Sequence, residues 1–282
     1  MMKHIPVLLD SIMCALGDLR GRVVVDATFG AGGYSRAFLT AGARVIAFDR
    51  DPNVVADAQN MMDEFDGRFE FVPRPFSHIA DLTDTYDAIV FDLGISSMQI
   101  DVPSRGFSFR GDGPLDMRMS ADGVSAATLI EQSDAATLAR ILRDYGDVRR
   151  PGALANAMKR ALPKTTFELK NLIHNPNDIA PVFQALRIAV NDEMGELTRA
   201  LAAVPGRLKV GGRCICVTFH STEDRTVKNT FREWTTVPGD PRMPSVGVAK
   251  FAPMRTATPT DDEIAANPRA RSAHMRGVIK SY

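Results

Sequence analysis

The stretch Val23-Val24-Val25-Asp26-Ala27-Thr28-Phe29-Gly30-Ala31-Gly32-Gly33-Tyr34 sets an acid and three glycines at the end of a β-branched run. Such a run suits a strand buried on both faces, as in a parallel sheet. Glycines at its end let the backbone take positive φ and bring a ligand against the main chain. A helix from Ser35 to Thr40 would present free N–H groups to that ligand. Glycines and an aspartate together point to a nucleotide-like ligand rather than to a plain buried turn.

A second apolar run, Arg44-Val45-Ile46-Ala47-Phe48, ends at Asp49, 19 positions after Gly30. That spacing places an acid at the ribose hydroxyls of a Rossmann-type site. Position 35 is Ser, where a dinucleotide fingerprint has its third glycine. Asp26 would also repel a pyrophosphate and attract the ammonium and sulfonium of S-adenosylmethionine. The methyl donor is therefore favoured over a dinucleotide, which would make the chain an oxidoreductase.

A third acid, Asp92, ends the run Tyr86 to Phe91 and so belongs at the same carboxyl edge of the sheet. Amino-methyltransferases place an Asp or Asn, Pro, Pro, aromatic tetrad there; here Asp92-Leu93-Gly94-Ile95 stands instead. An exocyclic base amine is a poor nucleophile because its lone pair is delocalised into the ring. A carboxylate accepting from its N–H groups would localise that pair and help release the proton.

The elements that must position these acids follow from the patterning. A short helix near Asp10 to Leu16 leads in, and strands are expected at Arg22 to Asp26, Arg44 to Phe48, Arg68 to Val72 and Tyr86 to Leu93. Asp51-Pro52 caps a helix reaching about Asp63. Strands alternating with helices imply a parallel α/β sheet. The rhythm stops after Gly94, and short helical periods run from about Ser125 to Leu172. Phe183 to Val204 reads as one longer amphipathic helix, turned by Gly211-Gly212 into the strand that carries Cys214 and Cys216. In the next helix Ser221 is the expected cap, with Asp224 closing a capping box. Residues 235–262 read as a loop, and Ala273 to Ile279 as a last strand at the sheet edge. The expected division is therefore a core of residues 1–100 plus 200–282 and an inserted helical domain of residues 101–199.

Composition excludes little. The 282 residues carry zero net charge, but residues 140–170 hold a net of +5 and residues 265–282 a net of +4, which would suit a phosphate backbone. No apolar run has the roughly 18 residues of a membrane span, and no signal or transit peptide is recognisable, so a cytoplasmic location is expected. Cys14, Cys214 and Cys216 have no second soft cluster beside them, so no metal site is expected.

The remaining motifs run in a recognisable order: His4-Ile5-Pro6-Val7-Leu8-Leu9, Asp26 to Gly33, Asp49-Arg50-Asp51-Pro52, Phe91 to Asp101, Arg105-Gly106-Phe107-Ser108-Phe109, Gly113 to Met119, Phe183 to Asn191, Phe219 to Arg225 and Asn267 to Ser272. On these the chain resembles the bacterial 16S ribosomal RNA cytosine-N4 methyltransferases. The resemblance implies a class I S-adenosylmethionine-dependent methyltransferase core, a Rossmann-like parallel sheet with an antiparallel edge strand, carrying an inserted all-α domain that helps recognise the substrate. It implies methylation of N4 of one cytidine in the decoding centre of 16S rRNA within the small ribosomal subunit, and frequent homodimers. Donor contacts would fall on Gly32, Gly33, Tyr34, Asp49, Phe76, Asp92 and Gln99, with Asp92 catalytic. Tyr34 stands where the family usually has His, Met98 where Pro is common, and Thr222 where Leu is common.

For the RNA, Arg105, Phe107 and Phe109 combine phosphate contact with base stacking. Asp116, Arg118 and His220 are further substrate candidates, His220 also as a base suited to neutral pH. The other class of function open to this chain is a non-catalytic ribosome-assembly factor using the fold only to bind.

Overall fold

The computed structural model describes residues 6–237 and 248–282. His4 and Ile5 of the first motif, and residues 238–247 of the expected loop, lie outside them. In chain order the elements are α1 (Leu9–Leu16), β1 (Val23–Asp26), α2 (Gly33–Thr40), β2 (Arg44–Phe48), α3 (Val55–Glu64), β3 (Phe69–Val72) and β4 (Tyr86–Asp92). Then come α4 (Ser97–Asp101), α5 (Ala126–Gln132), α6 (Ala135–Gly146), α7 (Pro151–Ala161), α8 (Thr166–Asn171) and α9 (Ile179–Asn191). The chain closes with α10 (Glu193–Arg207), β5 (Leu208–Thr218), α11 (Ser221–Thr235), β6 (Phe251–Pro253), α12 (Asp261–Ala266) and β7 (His274–Lys280).

The chain divides into two compact units, one of Met1–Gly94 with Glu196–Tyr282, the other of Ile95–Gly195. The first unit holds a seven-stranded sheet in the order β3-β2-β1-β4-β5-β7-β6. Strands β3 to β5 run parallel, and β7 is antiparallel to both β5 and β6. The antiparallel strand is thus not the last: β6, in the stretch expected to be loop, pairs Phe251 with Lys280 and stands outside it. A three-residue strand leaves almost no period to detect. Chain order reverses at β1, which has β2 on one side and β4 on the other, and such a switch point opens a crevice at the carboxyl ends of the strands.

β1 and β4 are apolar runs because consecutive residues, which point to opposite faces of the sheet, are buried. Ile12 from α1, Phe38 and Leu39 from α2 and Met61 from α3 pack with Val24, Val45, Val90 and Ile215 in one core. Strand β5 begins three residues before Gly211, and the β4–β5 register slips between Tyr86 and Ala88. The glycines expected as a turn therefore sit at a bulge inside the strand, where a Cβ on Gly212 would stand 2.8 Å from the Lys209 carbonyl. Cys214 and Cys216 are buried free thiols on β5.

The second unit has its own core, in which Leu115 and Met117 meet Leu138 and Leu142 of α6, Met158 of α7, Leu169 of α8, and Phe183 and Leu186 of α9. Its short helices start where side chains satisfy free N–H groups: Ser125 accepts from Thr128, Asp134 from Thr137, and Thr165 and Glu168 form a capping box. The single helix expected from Phe183 to Val204 is two, because Asp192 takes a left-handed conformation (φ 49°) between α9 and α10. Periodicity missed this break because both helices keep their apolar faces.

Phe38 is fully buried in the core that holds α2 on the sheet. Phe38→Ala is expected to cost about 3–5 kcal/mol through lost burial and a residual cavity, read as a lower urea midpoint; a loss under about 1 kcal/mol would show that this contact does not hold α2 in place.

Candidate active site

Three carboxylates stand at the carboxyl ends of adjacent strands: Asp49 after β2, Asp26 at the end of β1 and Asp92 at the end of β4. The turn after β1 ties them together. Thr28 N–H donates to Asp26 Oδ1 (3.1 Å), and the Ser35 hydroxyl donates to Asp26 Oδ2 (2.6 Å). Gly30 N–H donates to Asp49 Oδ2 (2.8 Å), and Asp51 N–H donates to Asp49 Oδ1 (2.8 Å). Asp92 N–H donates to the Thr28 hydroxyl oxygen (2.7 Å). Thr28 therefore joins the ends of β1 and β4. Sequence reasoning assigned it no role; its signal was a small hydroxyl residue just beyond the strand-ending acid.

The glycines divide the work. Gly30 and Gly32 have φ of 53° and 75°, the left-handed region, and Gly32 is the N-cap of α2. Gly33 is needed for space instead, since a Cβ there would lie 2.4 Å from Pro6 Cγ. Among the described residues a Cβ on Gly30 would meet nothing closer than 4.0 Å, so they leave this turn open on that side. Helix α2 begins at Gly33, two residues before the expected start at Ser35.

All three acids resist ionisation. Burial pushes Asp26 up to about 6, against hydrogen bonds from Ser35 and Thr28 that pull it down. Burial likewise raises Asp49. Asp92 is held well above the usual carboxylate range by burial first, then by Asp26 and Glu223. Its Oδ1 is buried with no hydrogen-bond partner among the described residues. An unpaired carboxylate oxygen in such a place is costly unless a ligand donates to it or it carries a proton.

The other expected contacts fall into two groups. Phe76, half-buried at the start of a 3₁₀ turn, sets its ring edge-on to Phe91 with centroids 5.7 Å apart. Tyr34 is 4% exposed, stacks on Phe38 and donates its hydroxyl to the Val7 carbonyl. Its side chain is therefore part of the core and is not free to stack on a ligand. His220, rather than Ser221, caps α11: its Nδ1 accepts from Glu223 N–H (3.3 Å), and Glu223 returns bonds to the backbone of Phe219 and His220. The Nε2 of His220 lies 2.9 Å from Glu223 Oε1. Asp224, expected in the capping box, instead pairs with Arg276 of β7 (2.7 and 2.8 Å). The helix starts one residue earlier than Ser221 capping requires, which moves the box to Glu223.

Gln99, Arg105, Phe107, Phe109, Asp116 and Arg118 belong to the second unit. Gln99 closes the capping box of α4 with Ser96. Arg105 donates to the carbonyls of Arg118 (3.0 Å) and Met119 (3.1 Å), and its guanidinium lies over the Phe107 ring. Phe107 is 6% exposed, and Phe109 packs edge-on against Phe183. Asp116 and Arg118 form a two-bond pair (2.9 and 2.8 Å). Asn191 bridges the same loop, accepting from Met119 N–H (2.8 Å) and donating to the Met117 carbonyl (2.7 Å). The two rings expected to stack bases are turned into this unit's own core, because apolar area is buried more favourably there than exposed to water. The Arg105 and Arg118 cations hold the loop that supports them.

A depression of about 500 Å³ lined by Val23, Arg44, Glu70 and Thr85 lies at the amino ends of the strands, opposite the carboxylates. It contains none of the chemistry above.

The profile of the MraW methylase family matches residues 1–281. The chain belongs to that family. The ribosomal RNA small subunit methyltransferase H of Rhizobium johnstonii (strain DSM 114642 / LMG 32736 / 3841) is 44% identical over 305 residues, which cover 99% of this chain and 88% of the relative. The protein of that name from Sinorhizobium fredii (strain NBRC 101917 / NGR234) is 45% identical over 299 residues, with the same coverage. A solved rRNA methylase from Streptococcus thermophilus is similar at a TM-score of 0.47 and 14% identity, over 100% of this chain and 99% of its own, too remote a likeness to carry an inference. Membership in this family gives the strand-end acids an interpretation that a sheet edge alone does not.

The shift of Asp26 makes a pH prediction. A carboxyl whose folded pKa is raised stabilises the fold fully below its unfolded pKa, near 4, and loses that contribution as pH climbs to about 6. Asp26→Asn has no charge to bury. In urea unfolding without ligand, its stability relative to the parent should rise by about 3 kcal/mol from pH 4 to 7 and level off above. A difference that does not change with pH would show that Asp26 is not buried as a charge.

Proposed function

We propose that this chain transfers the methyl group of S-adenosylmethionine to the exocyclic N4 of one cytidine in the decoding centre of 16S rRNA, within the small ribosomal subunit. The observation that carries the reading is the Asp92 carboxylate, with one buried oxygen lacking a hydrogen-bond partner among the described residues, at the carboxyl edge of a switch-point sheet. The names of the relatives support ribosomal RNA as the substrate.

The residues present fit the donor. Three acids whose charges are destabilised by burial favour a cation at this edge and disfavour the extra negative charge of a pyrophosphate. Backbone N–H groups of Gly30 and Asp51 hold the Asp49 carboxylate, the acceptor for the ribose hydroxyls. The open side of Gly30 admits a ligand to the main chain, and Phe76 offers a ring beside the strand ends. Gly32 and Gly33 contribute backbone, and Tyr34 contributes from the helix start rather than through its hydroxyl. When bound, S-adenosylmethionine supplies an electrophilic methyl with a good leaving group.

The protein's own part is positioning and proton handling. Asp92 accepts from the N4 amine, localises its lone pair and receives its proton. Burial raises the pKa of Asp92, and a neighbouring cation would favour its ionised, proton-accepting form. Thr28 fixes the Asp92 backbone, and holding the amine in line with the methyl supplies much of the rate.

Small subunits from a gene-deletion strain should lack the N4-methyl mark by nucleoside mass spectrometry, and purified protein plus donor should restore it. Asp92→Ala should lower turnover by about a hundredfold or more, with donor affinity measured on the same variant to separate binding from catalysis. Normal modification in the deletion strain would overturn the substrate, and full activity of Asp92→Ala would remove Asp92 from the mechanism. Calorimetric titration with S-adenosylmethionine and with a nicotinamide cofactor separates methyl transfer from the oxidoreductase reading, and turnover in the mass assay excludes a purely binding role.

A further inference from the structure

Helix α11 sorts its charges by face. Val227 and Phe231 are buried against the sheet, and Trp234 stacks on Phe251 of β6 (4.9 Å). Its first-turn acids are used inside the first unit: Glu223 is 1% exposed on the backbone of Phe219 and His220, and Asp224 pairs with Arg276. The opposite face carries Ser221, Arg225, Lys228, Asn229 and Arg232, all exposed. At 3.6 residues per turn these five fall within an arc of about 100°. That arc holds three cations and no acid. Among the described residues no carboxylate forms an ion pair with Arg225, Lys228 or Arg232; Arg232 donates only to Asn229 (3.2 Å).

The place of the helix gives the stripe a meaning. Val217, near the end of β5, pairs with Asp92 at the end of β4, and α11 starts three residues after β5 ends. The stripe therefore leads away from the edge that carries Asp92, on the same compact unit. From Arg225 to Arg232 it extends about 10 Å along the axis.

We propose that this face of α11 is a track for the phosphate backbone of the RNA strand flanking the target nucleotide. The inference rests on the reading of the chain as an RNA methyltransferase. Cations interleaved with hydroxyl and amide donors match phosphate and sugar oxygens. The face has no aromatic or aliphatic anchor such as a protein interface places at its centre, and its apolar side is covered by the sheet, which leaves nothing to insert into a membrane. The track fixes the register of the strand, while the strand-end acids read the base.

The test replaces all three cations at once, in R225Q/K228Q/R232Q, and compares it with R20Q/R44Q at the opposite end of the strands. Binding to purified small ribosomal subunits and to a single-stranded RNA oligonucleotide is measured across a salt series. S-adenosylmethionine titration on each variant reports whether the first unit is intact. The triple variant should bind RNA about ten- to a hundredfold more weakly at low salt, with the slope of log affinity against log salt reduced by about 2, and should keep donor affinity. The double variant should match the parent. A triple variant with intact donor binding and an unchanged salt slope overturns the track while leaving the methyltransferase reading in place. A parent protein that binds neither probe overturns both.

Discussion

The structure depends on one electrostatic constraint: three carboxylates must share the carboxyl edge of one sheet. Asp49, Asp26 and Asp92 end adjacent strands, and burial raises the pKa of each. Like charges in a low-dielectric place are unfavourable unless donors or a cation compensate. The turn after β1 provides the donors: Gly30 N–H for Asp49, and Thr28 N–H with the Ser35 hydroxyl for Asp26. Of the three, only Asp92 keeps a buried oxygen with no hydrogen-bond partner among the described residues.

This constraint explains features that otherwise look unrelated. The left-handed Gly30 aims its N–H at Asp49, Gly33 must be small because Pro6 lies against it, and Thr28 anchors β4 to β1. The Phe38 core holds α2, and with it Ser35, in place behind the acids. Local propensity, packing and site chemistry agree at one turn, as they do where a sequence specifies its fold without conflict.

The two units handle charge differently. In the second unit, Arg105 and Arg118 are committed to loop carbonyls and to Asp116. In the first, the cations of α11 face solvent while its first-turn acids turn inward. A basic residue in a motif is thus not by itself a substrate contact; what decides is whether the fold has already given it an acceptor.

The sequence by itself determined the parallel α/β core, the three strand-end acids and the existence of a helical insertion. Periodicity and strand-end residues are local signals, set by backbone geometry at short range. The tertiary structure decided what depends on distant partners. Tyr34 belongs to the core because Val7 takes its hydroxyl. Phe107 and Phe109 face inward because Phe183 and its neighbours offer them apolar surface. Asp224 left the capping box for Arg276, 52 residues away. The break at Asp192 and the short strand β6 were likewise invisible to periodicity. Residue type and spacing therefore fixed which groups reach the strand ends, and only packing could say which of them still had a free atom when they arrived.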